Sequence, residues 1–134
     1  MTSVLFACVH NAGRSQMAAA FFNAFADPTK AIAISAGTVA ADRVHPEVVA
    51  AMAAEGMDLS EKRPRLITSV PLQFVNVLIT MGCGAECPLV PGAERDDWPI
   101  EDPKGKPPEQ VRAIRDQVRE RVRALVQARG WARG

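Results

Sequence analysis

The chain has no tyrosine, only three cysteines and only two histidines among its 134 residues. An odd number of thiols does not make a disulfide framework. The length alone permits a core that buries about two-thirds of the unfolded surface, so none is needed. The N-terminal stretch Met1 to Cys8 lacks the basic region and long apolar run of a secretory signal. No window approaches the roughly 20 apolar residues of a membrane span. The expectation is a cytoplasmic protein without membrane attachment, in which thiols serve metal binding or redox chemistry. Charge is equally unbiased: 16 Lys and Arg against 15 Asp and Glu, a net of +1. That gives no bulk reason to expect nucleic acid as a partner. The arginines crowded between Arg112 and Arg133 are interleaved with Asp116 and Glu120 and read as a solvated helix face. Repeats, linkers and low-complexity tracts are also lacking, so residues 1–134 are expected to form one domain and act as a monomer.

What is present alternates between two periodicities. Ser3 to Ala7, Ala31 to Ser35 and Phe74 to Thr80 are short apolar runs that suit buried strands, the last being the clearest. From Arg14 the pattern turns helical through Met17, Ala18, Phe21, Phe22 and Phe25, and Asp27-Pro28 stops it. Pro46 opens a second helix through Val48, Val49, Met52 and Ala53, with Gly56 as its C-terminal cap. Glu109 to Ala128 is a third, with Val111, Ile114, Val118, Val122 and Leu125 on one face. A fourth strand is expected near Asp96 to Ile100, inside a stretch from Cys87 to Pro108 that carries six prolines and suits an ordered loop over the site. Alternation of this kind implies an α/β three-layer sandwich around a four-stranded parallel sheet. Such sheets bind ligands at the carboxyl ends of their strands, where Cys8 and Cys83 both fall.

Cys8-Val9-His10-Asn11-Ala12-Gly13-Arg14-Ser15 lies between a strand and a helix. Small and polar residues there allow successive backbone N–H groups to converge on one point, a nest for a tetrahedral oxyanion. The helix N-terminus adds positive potential, and Arg14 offers a planar fork for two oxygens. The same field favours the Cys8 thiolate and makes it a nucleophile. Ser15 is placed to donate a hydrogen bond to that thiolate, and Asn11 to pin the loop by bonding its backbone. A proton donor for a departing oxygen is needed as well, and Asp96, Asp97, Glu101 and Asp102 are all candidates.

Cys8 to Met17 resembles the phosphate-binding loop of the low-molecular-weight protein tyrosine phosphatase superfamily. Arg14-Ser15-Gln16-Met17-Ala18 is closer to its thiol-linked arsenate reductase branch. The similarity continues through Ser35-Ala36-Gly37-Thr38, His45-Pro46, Thr80-Met81-Gly82-Cys83, Cys87-Pro88, Trp98, Asp102-Pro103-Lys104-Gly105 and the Arg112 to Val122 helix. It implies the low-molecular-weight phosphotyrosine phosphatase fold, Asp102 as general acid and no cofactor. It also implies a relay: Cys8 attacks arsenate, Cys83 then attacks Cys8 and expels arsenite, and Cys87 attacks Cys83. Thioredoxin would reduce the resulting Cys83–Cys87 disulfide, or a mycothiol- or glutathione-linked donor. Phosphate and sulfate would compete with arsenate. Thioredoxin-coupled members space the last two cysteines more widely than the four positions here, and some carry an acid beside a potassium ion where this chain has Ala19.

Two other functions compete with this one. A tyrosine phosphatase would need only Cys8, with water clearing the phospho-cysteine; its usual substrate-walling tyrosines after the Asp-Pro pair are absent, and Lys104-Gly105 follows instead. In a helix, residues four apart sit about 6 Å apart, within disulfide reach, and so short a loop makes a readily reduced bond. Zinc is the other alternative, but Cys83 and Cys87 are not a C-x2-C pair and His10 sits beside Arg14, so no metal site is expected. His45 reads as a helix-start residue, His10 as loop packing and Trp98 as a lid or core anchor.

Overall fold

Val4, Leu5, Phe6 and Ala7 have no exposed surface. Such a run, apolar on both faces, belongs in the middle of a parallel sheet covered from both sides. In the computed structural model, which describes residues 1–82 and 89–133, it forms β1 (Thr2–Cys8) at the centre. β2 (Ala31–Gly37) pairs with it on one side and β3 (Val77–Thr80) on the other, and β4 (Glu94–Asp97) pairs with β3. The order is β2-β1-β3-β4 with every pairing parallel.

The alternation along β1 divides the core. Val4, Phe6 and Cys8 face one cluster with α1 (Arg14–Phe25), α2 (Pro46–Ala53) and α3 (Pro108–Ala128). Leu5 and Ala7 face the other, closed by Ile67, Val70, Val75 and Val90. The third layer is therefore thin, built on single 3-10 turns at Ile67–Ser69 and Leu72–Phe74. α3 buries Val111, Ile114, Val118, Val122 and Val126, a stripe spaced by three and four. Val126, rather than the half-buried Leu125, closes that stripe. Trp98 is a core anchor, its ring 5.6 Å from that of Phe6.

Two boundaries differ from the sequence pattern. The expected strand from Phe74 begins only at Val77, because Pro71 leads into a 3-10 turn that leaves Phe74 exposed. The Asn76 side chain then accepts a bond from Ser3 N–H, taking a place in the ladder that a backbone carbonyl would hold. β4 lies two residues earlier than expected, and its exposed, charged residues mark it as an edge strand. Among the described residues no helix is long and apolar enough to cross a membrane.

Candidate active site

β1 ends at Cys8 and α1 starts at Arg14, so the intervening loop caps the carboxyl edge of the sheet. Its carbonyls are all taken. Those of Cys8, Val9, His10 and Ala12 accept from the N–H groups of Thr38, Val39, Ala41 and His45, at 3.2, 2.8, 3.0 and 2.9 Å. The Asn11 carbonyl accepts from Gln16 Nε2 and that of Gly13 from Met17 N–H. A trans peptide points its C=O and its N–H in opposite directions. Carbonyls bonded outward to residues 38–45 therefore turn the following N–H groups inward. Among the described residues no backbone N–H from Val9 to Gln16 has a partner. Convergent unpaired donors at a helix N-terminus form an anion cradle.

Gly37 makes this wrapping possible. A Cβ there would stand 2.6 Å from the Val9 carbonyl oxygen and 2.9 Å from Asn11 N. Only a bare backbone lets the loop cross the end of β2.

Asn11 is joined to the thiol through Ser15. It is the one non-glycine residue with positive φ among those described, at 52°, a conformation asparagine tolerates. Its Oδ1 accepts from Arg65 N–H at 2.9 Å and from Gln16 Nε2 at 3.1 Å. That leaves Nδ2 as the group facing Ser15, donating to Oγ at 2.8 Å. The Ser15 hydroxyl, already accepting, is free to donate to Cys8 Sγ, 2.8 Å away. Asn11, Ser15 and Cys8 are all buried. Asn11 thus pins the loop through Arg65, Gln16 and Ser15 rather than through its own backbone.

Arg14 enters from the other side. Its Nη1 donates to the Ile100 carbonyl at 3.0 Å, and Nη2 lies 3.7 Å from Asp102 Oδ2. The guanidinium is nearly buried while the carboxylate is about two-fifths exposed. Pro103 sits over Gly13, where an added Cβ would come within 2.9 Å of Cγ. Asp102 also accepts from Lys104 N–H, which turns the loop back on itself. The other acid candidates point elsewhere: Asp96 accepts from the Trp98 indole, Asp97 from Thr80 and Glu101 pairs with Lys106.

His45 is the N-cap residue of α2 and lies near Gly13. Burial, the largest cause, holds its imidazole below the usual value; Lys104 and His10 add to this, against Glu47 and Asp102. Among the described residues no group of three or more His, Cys, Asp or Glu side chains is placed to hold a metal ion.

The structure thus brings Cys8, Arg14, Ser15 and Asp102 to one place, around the backbone of Val9, His10, Asn11, Ala12 and Gly13. Cys83 and Cys87 lie outside the described residues. Sequence reasoning missed the Ile100 carbonyl, because a backbone oxygen carries no residue signature. It also missed the crossing at Gly37, although a glycine ending a strand was a visible cue.

Residues 3–130 match the model of the family described as low molecular weight phosphotyrosine protein phosphatase. A glutaredoxin arsenate reductase of Synechocystis is 35% identical over 129 residues, which are 94% of this chain and 97% of that protein. The crystal structure of an arsenate reductase from Archaeoglobus fulgidus superposes with a TM-score of 0.82 at 35% identity, over 92% of this chain and 98% of that one. A thioredoxin-dependent arsenate reductase of Corynebacterium glutamicum superposes with a TM-score of 0.81 at 34% identity, over 96% of this chain and 61% of that one.

Proposed function

The chain belongs to the low molecular weight phosphotyrosine protein phosphatase family, and within that family we propose that it is an arsenate reductase that turns over through Cys8, Cys83 and Cys87. What carries the reading is a buried Cys8 thiol, bonded by Ser15, at the floor of a loop whose N–H groups face inward. The chain around it aligns along almost its whole length with arsenate reductases.

In the first step Cys8 Sγ attacks arsenic, and one arsenate oxygen leaves as water with a proton from Asp102. The inward N–H groups of residues 9–15 and the Arg14 fork hold the remaining oxygens as charge shifts onto them. The Asp102 carboxylate, 3.7 Å from Arg14 Nη2 and about two-fifths exposed, is the group we assign to protonate the departing oxygen. Cys83 then attacks Cys8 Sγ. The S–As bond breaks with its electron pair on arsenic, which leaves as arsenite, and a Cys8–Cys83 disulfide forms. Two thiols have become one disulfide while arsenic has gained two electrons. Cys87 attacks Cys83, returns Cys8 as thiolate and leaves Cys83–Cys87 for an external dithiol.

Thioredoxin is the donor we assign, with a glutaredoxin-type protein as the other outcome, since the relatives include one of each kind. The protein works as a monomer in the reducing cytoplasm, and phosphate and sulfate compete for the loop.

The test is steady-state arsenate reduction coupled to thioredoxin, thioredoxin reductase and NADPH. Turnover by the wild type, abolished in Cys8→Ser, Cys83→Ser and Cys87→Ser, supports the relay. Hydrolysis of an aryl phosphate that needs Cys8 but not Cys83, with no arsenate turnover, makes the protein a phosphatase instead.

A further inference from the structure

Gly82 follows the end of β3 at a point where the backbone has just been locked in place. Met81 N–H donates to the Ala7 carbonyl at 2.7 Å, and the Met81 side chain is fully buried. Gly82 itself has φ +96°. A Cβ built there would collide with Arg14 Nη1 and stand 3.1 Å from Cζ and 3.5 Å from Nη2. The guanidinium therefore occupies the space a side chain at position 82 would fill. On its other flank Nη1 is tied to the Ile100 carbonyl.

These two contacts fix one corner of the fork. Nη1 is spent on the acid loop and wedged against Gly82, and Nη2 lies 3.7 Å from Asp102 Oδ2, so the plane of the guanidinium is fixed before any oxyanion arrives. Planar guanidinium recognition depends on presenting two parallel N–H bonds, so the orientation of the plane matters as much as the charge. We propose that Gly82 is a positioning residue: by having no side chain it seats the Arg14 guanidinium between the Ile100 carbonyl and the Asp102 carboxylate and so sets the plane in which it meets an oxyanion at residues 8–15. The obstruction a side chain would create falls on the far end of a flexible arginine. The fold would survive the substitution, and Arg14 would give way. The expected damage is thus to oxyanion affinity rather than to folding.

This rests on the reading of residues 8–15 as an oxyanion site, but its test does not require turnover. Inorganic phosphate is the probe, titrated calorimetrically into the wild type, Gly82→Ala, Gly82→Asn, Arg14→Lys and the Gly82→Ala/Arg14→Lys double variant. Asparagine accepts positive φ better than alanine but still carries a Cβ. It relieves backbone strain while keeping the obstruction. The expected result is phosphate binding weakened about tenfold or more in both Gly82 variants, the scale of a lost charge-assisted hydrogen bond. In the Arg14→Lys background, Gly82→Ala should change affinity less than about twofold, because the shorter side chain no longer fills the seat.

Equal losses from Gly82→Ala with arginine or lysine at position 14 would overturn the proposal, as would wild-type affinity in Gly82→Asn. Thermal unfolding of each variant separates weakened binding from misfolding, and a Gly82→Asn that unfolds far below the wild type also overturns it. A wild type that binds no phosphate removes the oxyanion reading and this proposal together. Phosphate binding without arsenate reduction removes only the reductase.

Discussion

The loop from Cys8 to Ser15 is held at every carbonyl, whereas the loop from Trp98 to Pro107 that carries Asp102 is tied to the rest of the molecule at few points. In the first, residues 38–45 bond the outer side and Asn11 makes bonds to three other residues inside. In the second, Lys104 and Lys106 bond back to Asp102 and Pro103. Its ties outward among the described residues include Trp98 N–H to Thr80, the Trp98 indole to Asp96, Gly105 N–H to Glu47, the Arg14 contacts to Ile100 and Asp102, and the Pro107 carbonyl that accepts from Gln110 and Val111. The difference matches two tasks. Stabilising a developing charge demands donors that do not reorganise during the reaction, so their positions are over-determined. Delivering a proton and admitting an oxyanion suits a group that is exposed and loosely moored. Arg14 belongs to both loops, gripping one while it serves the other.

Asp102 is the residue on which the contrast between the two loops depends most. Asp102→Asn puts a carboxamide of nearly the same shape in place of the carboxyl but removes the acidic proton, and kcat for arsenate reduction should fall about 10²- to 10³-fold. Its thermal midpoint should stay near that of the wild type. An unchanged kcat in steady-state kinetics would transfer the acid role to another group.

Gly37→Ala attacks the rigid loop from beneath, where the obstruction is backbone that cannot move aside. A loss of about 3 kcal/mol is expected, the upper range for overpacking, read by urea unfolding. Gly13→Ala presses less closely, at 2.9 Å against 2.6 Å, and on the Pro103 ring of the other loop rather than on backbone. It should cost under about 1 kcal/mol by the same measurement, since the neighbouring loop can shift. Equal costs for the two glycines would erase the contrast between the loops.

Ser15→Ala removes the donor to Cys8 and leaves Asn11 Nδ2 facing an apolar methyl. Alkylation of Cys8 by iodoacetamide at neutral pH should slow by about tenfold, the worth of one hydrogen bond to a charged group. A rate equal to the wild type would mean that the inward N–H groups alone stabilise the thiolate.

The smallest effect concerns His45, whose imidazole burial holds below its ordinary value of 6.5. The unfolded chain takes up a proton near that pH while the folded His45 resists it. Stability from this group is therefore present above 6.5 and declines as pH falls toward the folded value, where the slope ends. His45→Asn keeps an N-cap residue for α2 and should flatten that slope in denaturant unfolding between neutral and mildly acidic pH.

Much of this was legible in the order of residues. Strand runs are short and apolar, helices carry stripes at three and four, and the Cys8 to Ser15 segment reads as an anion loop because it lies after an apolar strand and before an amphipathic helix. Local chemistry also placed Ser15 against the thiol. Where pattern reading failed, a side chain had taken over a backbone role. Asn76 accepts the Ser3 N–H and shortens β3, and Phe74, apolar enough to read as strand, lies exposed on a turn begun by Pro71. β4 has no apolar signal because an edge strand of charged residues is held by its ladder.

Residue order alone carried the sheet-and-helix alternation and singled out Cys8 and the Cys8 to Ser15 loop as the nucleophile and oxyanion site that we propose, because each depends on residues near one another along the chain. The folded arrangement decided which way the loop N–H groups point and what anchors Arg14, and it set Asp102, which the resemblance had implied, beside that arginine. Those depend on carbonyls of Ile100 and Ala12, on the bare backbones of Gly37 and Gly82 and on the N–H of Arg65, brought together from distant parts of the chain. Backbone groups are the same in every residue, so no pattern of side chains announces where folding will make them meet.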